Sequence, residues 1–123
     1  MVIRRFASFG AVLAYVPWLL FPREACAADV LVKSYLSETR PEFREYNKLF
    51  FDGVTSGFRW YNSGLQADGK QPLFCLPSHF EIKFEQAEDI MMGLVKRHPQ
   101  FYDNSYISGA LLAGLIEIFP CKN

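Results

Sequence analysis

Along the chain, apolar positions change their spacing several times, and each change marks an element. A short amphipathic start, DVLVKSYL, leads into SETRPEFREYNKLFFDGVTSGFRWYNSG, where apolar residues recur every three to four positions, the helical period. Thr39 with Glu42 fits a capping box, Pro41 suits a first turn, and Ser63-Gly64 suits a C-cap. At 100° per residue, Phe43, Tyr46, Phe50, Val54, Phe58 and Tyr61 share one broad face, with Leu49, Phe51 and Trp60 at its edges. Gly53 and Gly57 lie on that face too, and glycine in a helix interior costs about 1 kcal/mol relative to alanine. The expectation is that they admit a closely packed element.

Beyond the polar loop LQADGKQ, the two prolines of PLFCLP favour an extended strip around Cys75, and Phe80, Ile82 and Phe84 alternate with Glu81 and Lys83. The helical period returns from about Phe84 to Arg97, with Phe84, Ala87, Ile90, Met91, Leu94 and Val95 as its buried stripe. Acidic residues fill its first turn and Lys96, Arg97 and His98 its last, matching the helix dipole, and Pro99 stops it. A polar loop, HPQFYDN, separates it from a final helix over about Ser105 to Phe119 that is apolar nearly all round. Such a helix is either central to a core or covered by a second subunit. In so small a domain some of both is expected, with a homodimer as the assembly.

The start of the chain has a different layout. Arg4 and Arg5 precede an apolar run from Phe6 to Phe21, and small residues Ala25, Ala27 and Ala28 close it, as in a secretory signal peptide. The run falls short of the roughly 20 residues of a membrane span, and Pro17 interrupts it. Residues 1–28 are therefore read as a cleaved signal and residues 29–123 as one domain, exported and without a membrane segment after cleavage. Removing Arg4, Arg5, Arg23 and Glu24 leaves ten basic and twelve acidic residues, a net charge of −2. No basic stripe points to nucleic acid.

Export changes the meaning of the cysteines. Cys26 leaves with the signal, so Cys75 and Cys121 remain as an even pair in an oxidising compartment, and a disulfide between them is the default. Cys75, His79, His98 and Cys121 are also of the types that bind zinc, but a lone Cys-x-x-x-His spacing is weak and His98 serves equally well as a cation at a helix end. Catalysis lacks a complete set of nucleophile, base and orienting group, so no enzyme and no cofactor are expected. The aromatic stripe of the first long helix reads as core. Phe101 and Tyr102 in the polar loop suit either a partner surface or a cover over the disulfide.

The run FFDGVTSGFRWYN, then LFCLP, then a helix closing on RHPQF, then an apolar helix ending IFPC, resembles the Rap/Tai family of type VI secretion immunity proteins. The most specific pieces are Cys75 to Pro77, His98-Pro99, and Phe119 to Cys121. That resemblance implies an all-α periplasmic domain, usually homodimeric, that blocks the active-site cleft of a peptidoglycan amidase effector. It also implies the disulfide of Cys75 with Cys121. The expectation is thus an all-α fold, a small orthogonal helical bundle with one intrachain disulfide, acting by occlusion. Its partner-binding residues are expected to be Lys96, Arg97, Gln100, Phe101, Tyr102 and Asp103. The same composition resembles periplasmic acid-stress chaperones of the HdeA type, which dissociate and bind unfolded clients at low pH. An exported helical domain with an unrelated partner is the third reading.

Overall fold

The structure is a computed structural model that describes residues 29–122; the signal peptide expected over residues 1–28, with Cys26, lies outside the described residues. Among the described residues five helices follow one another: α1 (Val32–Ser37), α2 (Pro41–Ala67), α3 (Phe84–Arg97), α4 (Gln100–Asn104) and α5 (Ile107–Ile118). The fold is all-α, and an isolated antiparallel bridge, Leu31 with Tyr106, ties the entry of α1 to the entry of α5. Val32 N–H donates to Ser105 O at 2.9 Å and Ile107 N–H to Val30 O at 2.8 Å.

The core forms where α3 lies along α5. The α3 stripe read from the sequence is buried in full, from Phe84 through Ala87, Ile90, Met91 and Leu94 to Val95, and it meets Ile107, Ala110, Leu111 and Leu115. Close approach is built at one point: a Cβ on Gly114 would stand 2.8 Å from Ile90 Cγ2 and 3.1 Å from Ile90 O. The α5 helix is therefore central to the core, and it leaves Ile116 and Ile118 partly exposed near its end.

The helix α1 and the ring of Phe51 close the other side. Phe51 stacks edge-on against Tyr35 at 5.7 Å and against Phe84 at 5.5 Å. Tyr35 donates its hydroxyl proton to Glu88, and burial first, that hydrogen bond second, hold the phenol protonated well above the ordinary tyrosine range.

Several expectations about α2 are corrected. The helix runs on past Ser63-Gly64 to Ala67, and its stop is Gly69, which takes the left-handed φ of 69°. Arg40, not Thr39, is the N-cap residue and makes no side-chain cap. Instead Glu38 accepts Arg40 N–H at 3.0 Å and its guanidinium at 2.8 and 2.6 Å, which holds the Glu38 carboxyl down at about 2. A reciprocal cap of the expected kind appears at α3, where Lys83 N–H donates to Gln86 Oε1 at 3.0 Å.

The buried face of α2 is also turned from the expected one. Phe51, Thr55 and Asn62 are buried, with Phe50, Val54 and Phe58 partly covered, while Tyr46 and Tyr61 stand in solvent. The reason is that α2 carries two apolar arcs and the small core covers one. Polar residues enter that arc only with their hydrogen bonds made: Thr55 Oγ1 donates to Phe51 O at 2.8 Å. Nor do Gly53 and Gly57 admit a neighbour, because a Cβ on either would meet nothing within 4 Å.

Candidate partner-binding surface

Two extended residues, Phe74 and Cys75, begin the corner that holds the chain's end. Cys75 N–H donates to Phe119 O at 2.8 Å, and the disulfide of Cys75 with Cys121 fastens the same two segments across 46 positions of sequence. Phe80 covers this corner through Phe119, with ring centres 5.6 Å apart. The residue that places the strip is one sequence reasoning passed over. Asn62 of α2 donates from Nδ2 to Phe74 O at 2.8 Å and accepts Leu73 N–H on Oδ1 at 2.9 Å. The only legible signal was a lone amide among apolar neighbours on a helix face.

The strip then turns at Pro77–Phe80, closed by Phe80 N–H to Pro77 O at 3.1 Å. His79 occupies the left-handed position with φ 63°, which non-glycine residues seldom take. Its side chain is exposed on this turn, whereas His98 sits against Glu117. Among the described residues no three His, Cys, Asp or Glu side chains gather closely enough to hold a metal ion, and none of the helices is long and apolar enough to cross a membrane.

The six residues expected to meet a partner fall together at the end of α3 and on α4, but in different states. The loop expected over HPQFYDN is a helical turn, because Phe101 and Tyr102 N–H groups find His98 O and Pro99 O, each at 3.0 Å. Phe101 is half-buried against the core and edge-on to His98, with centres 6.4 Å apart, so its ring secures α4 more than it offers itself to a partner. It covers the core, not the disulfide. Asp103 pairs with Lys33 at 3.6 Å, in solvent. Arg97 Nε donates to Glu117 Oε1 at 2.7 Å while His98 Nε2 meets Glu117 Oε2 at 2.9 Å. Hydrogen bonds from His98 and then Arg97 hold the Glu117 carboxyl below the ordinary carboxylate range. Lys96, Gln100 and Tyr102 present exposed side chains.

A larger apolar surface lies elsewhere. On the outer side of α2, Leu49 is 73% exposed, Trp60 76%, Tyr61 58% and Tyr46 56%. Such side chains, the aromatic ones above all, are the types that dominate binding energy at protein interfaces. Comparison with protein-family models, with curated proteins and with solved structures finds no match to this chain.

Proposed function

We propose that this chain is an exported, immunity-type protein of the periplasm that works by occlusion, seating itself over the active-site cleft of a peptidoglycan amidase delivered by type VI secretion. The observation that supports this reading is where the three sequence pieces behind the resemblance lie. Cys75 to Pro77 and Phe119 to Cys121 meet at the disulfide corner, and His98-Pro99 turns α3 into α4 while His98 is held to Glu117 on the neighbouring α5. These residues serve as fasteners of a rigid scaffold, which is what an occluding protein needs from them. The surface at the end of α3 and on α4, with Lys96, Arg97, Gln100, Tyr102 and Asp103 outward and Phe101 beneath, is the one assigned to the effector.

The test is to export this protein together with candidate amidases and to follow lysis. Rescue from lysis by at least one amidase supports the reading. Lysis unchanged across a panel of such amidases overturns it. Within a protective pair, Tyr102→Ala with Gln100→Ala should weaken binding without unfolding the domain, since both side chains are exposed. Unaltered affinity removes this surface from the proposal, and Phe101→Leu, which keeps the apolar contact with the core, separates a packing effect from a binding one.

A further inference from the structure

On a helical projection, Phe51, Thr55, Phe58 and Asn62 of α2 point to the core, and Tyr46, Leu49, Gly53, Gly57, Trp60 and Gly64 lie on roughly the opposite side. Tyr61 borders this second arc. None of the charged residues of α2 between Phe43 and Gly64 falls within it; Arg44, Glu45, Lys48, Asp52 and Arg59 occupy other directions. An uncharged face that leaves a tryptophan, two tyrosines and a leucine more than half exposed has the composition of an interface centre.

We propose that the occupant of this face is a second copy of the chain, with the two α2 helices packed antiparallel about a two-fold axis near position 55. A two-fold interface must match itself under reversal. This one does. Reversal about position 55 sets Leu49 opposite Tyr61 of the second copy, Phe50 opposite its Trp60, Gly53 opposite its Gly57, and the ring of Tyr46 over its Gly64. Aromatic and aliphatic side chains meet at both ends, and glycines meet in the middle, where two backbones can come closest. On the flank, Asp52 and Arg59 lie one above the other, two helical turns apart. The same register brings each toward its opposite charge in the second copy, twice by symmetry.

The glycines supply an independent argument. Gly53, Gly57 and Gly64 stand inside a 27-residue helix, and a Cβ on any of them would meet nothing within 4 Å. Each weakens the helix by about 1 kcal/mol relative to alanine, with no compensating contact within the chain. Gly114 shows the contrasting case, a glycine required by a neighbour at 2.8 Å. Area agrees as well. At the exposures of Tyr46, Leu49, Trp60 and Tyr61, these side chains offer roughly 500 Å² per copy, and two copies reach about 1,000 Å², where specific interfaces begin. The inference invokes no effector, so it stands or falls apart from the proposed function.

Sedimentation equilibrium of the purified protein across a concentration series tests it. Wild type should associate to a dimer, and Trp60→Asp and Gly57→Leu should each weaken association by about tenfold or more, as loss of an interfacial anchor does. Both variants should keep the wild-type helical circular dichroism, because neither residue touches the core. Gly57→Ala carries a sharper signature: thermal stability measured at dilution rises while self-association falls. Mixing Gly53→Cys with Gly57→Cys protein should yield interchain crosslinks that neither variant forms alone. A monomer at every concentration overturns the inference, as does a dimer indifferent to Trp60→Asp and Gly57→Leu, or Gly53→Cys crosslinking to itself as parallel helices would. A folded monomer that uses Trp60 to hold a different protein also overturns it.

Discussion

Asn62 holds Phe74 by its backbone: the amide donates to the Phe74 carbonyl at 2.8 Å while its oxygen takes the neighbouring Leu73 N–H at 2.9 Å. One side chain thereby does for the extended strip what an adjacent strand would do in a sheet. It also sets the strip at the height where Cys75 meets Cys121.

Asn62→Ala should therefore cost more than most single polar truncations. It strands a backbone carbonyl and a backbone N–H at a largely closed site, at about 1–3 kcal/mol each, so a loss of about 2–4 kcal/mol is expected. Urea unfolding measures it. Asn62→Asp keeps an acceptor for Leu73 N–H but offers no donor to Phe74, and should fall between. A loss below about 0.5 kcal/mol, the range of ordinary surface changes, would show that the strip is held by other means.

Gly114→Ala should destabilise although alanine favours helix. The added Cβ would stand 2.8 Å from Ile90 Cγ2 and 3.1 Å from its carbonyl oxygen. A side-chain tip can yield, but a backbone oxygen requires α3 and α5 to separate. Overpacking of this kind costs about 1–3 kcal/mol, more than the helix-propensity gain of about 1 kcal/mol. A thermal midpoint at or above wild type would show that the two helices lie further apart in solution.

Reduction should lower stability strongly. The Cys75–Cys121 bridge spans 46 positions, and the chain-entropy model assigns a loop of that length about 4 kcal/mol. Cys75→Ala with Cys121→Ala should match the reduced wild type in its thermal midpoint, and a chelator should leave the midpoint of the oxidised protein unchanged. Equal stability of oxidised and reduced forms would contradict the bridge's structural role.

Glu117 should titrate below an ordinary glutamate. Its carboxyl is held down by His98 and Arg97, so the folded state binds its proton less readily than the unfolded chain. The clasp's contribution is present above the ordinary glutamate pKa of about 4.3 and is lost as pH falls through the lower folded value. With both partners near solvent the contribution to stability is small, so carbon-detected NMR titration of Glu117 is the suitable measurement. Arg97→Ala together with His98→Ala should return its midpoint toward the ordinary value. A midpoint already ordinary in wild type would show that the clasp is open in solution.

Much of the fold was legible because local pattern suffices where an element has one apolar side. The α3 stripe is the clearest case: its spacing, its acidic first turn, its basic last turn and Pro99 agree, and the structure buries the stripe as read. The cysteine pair was legible from parity. For α4 local pattern failed, because five residues between Pro99 and Ser105 carry no period to read. Their helical turn comes from Phe101 settling against the core.

What the sequence by itself determined is the set of long helices, the centrality of α5 and the pairing of Cys75 with Cys121, since periodicity, all-round apolarity and cysteine count are properties of the chain alone. What only the tertiary structure decided is the side of α2 that turns inward. Two apolar arcs of similar strength lie on that helix, and no local rule ranks them. The choice falls to the arc on which Phe51 fits between Tyr35 and Phe84 and Asn62 reaches the backbone of Leu73 and Phe74, because burial there satisfies the polar groups it covers. The other arc, with Leu49 and Trp60, is left facing outward.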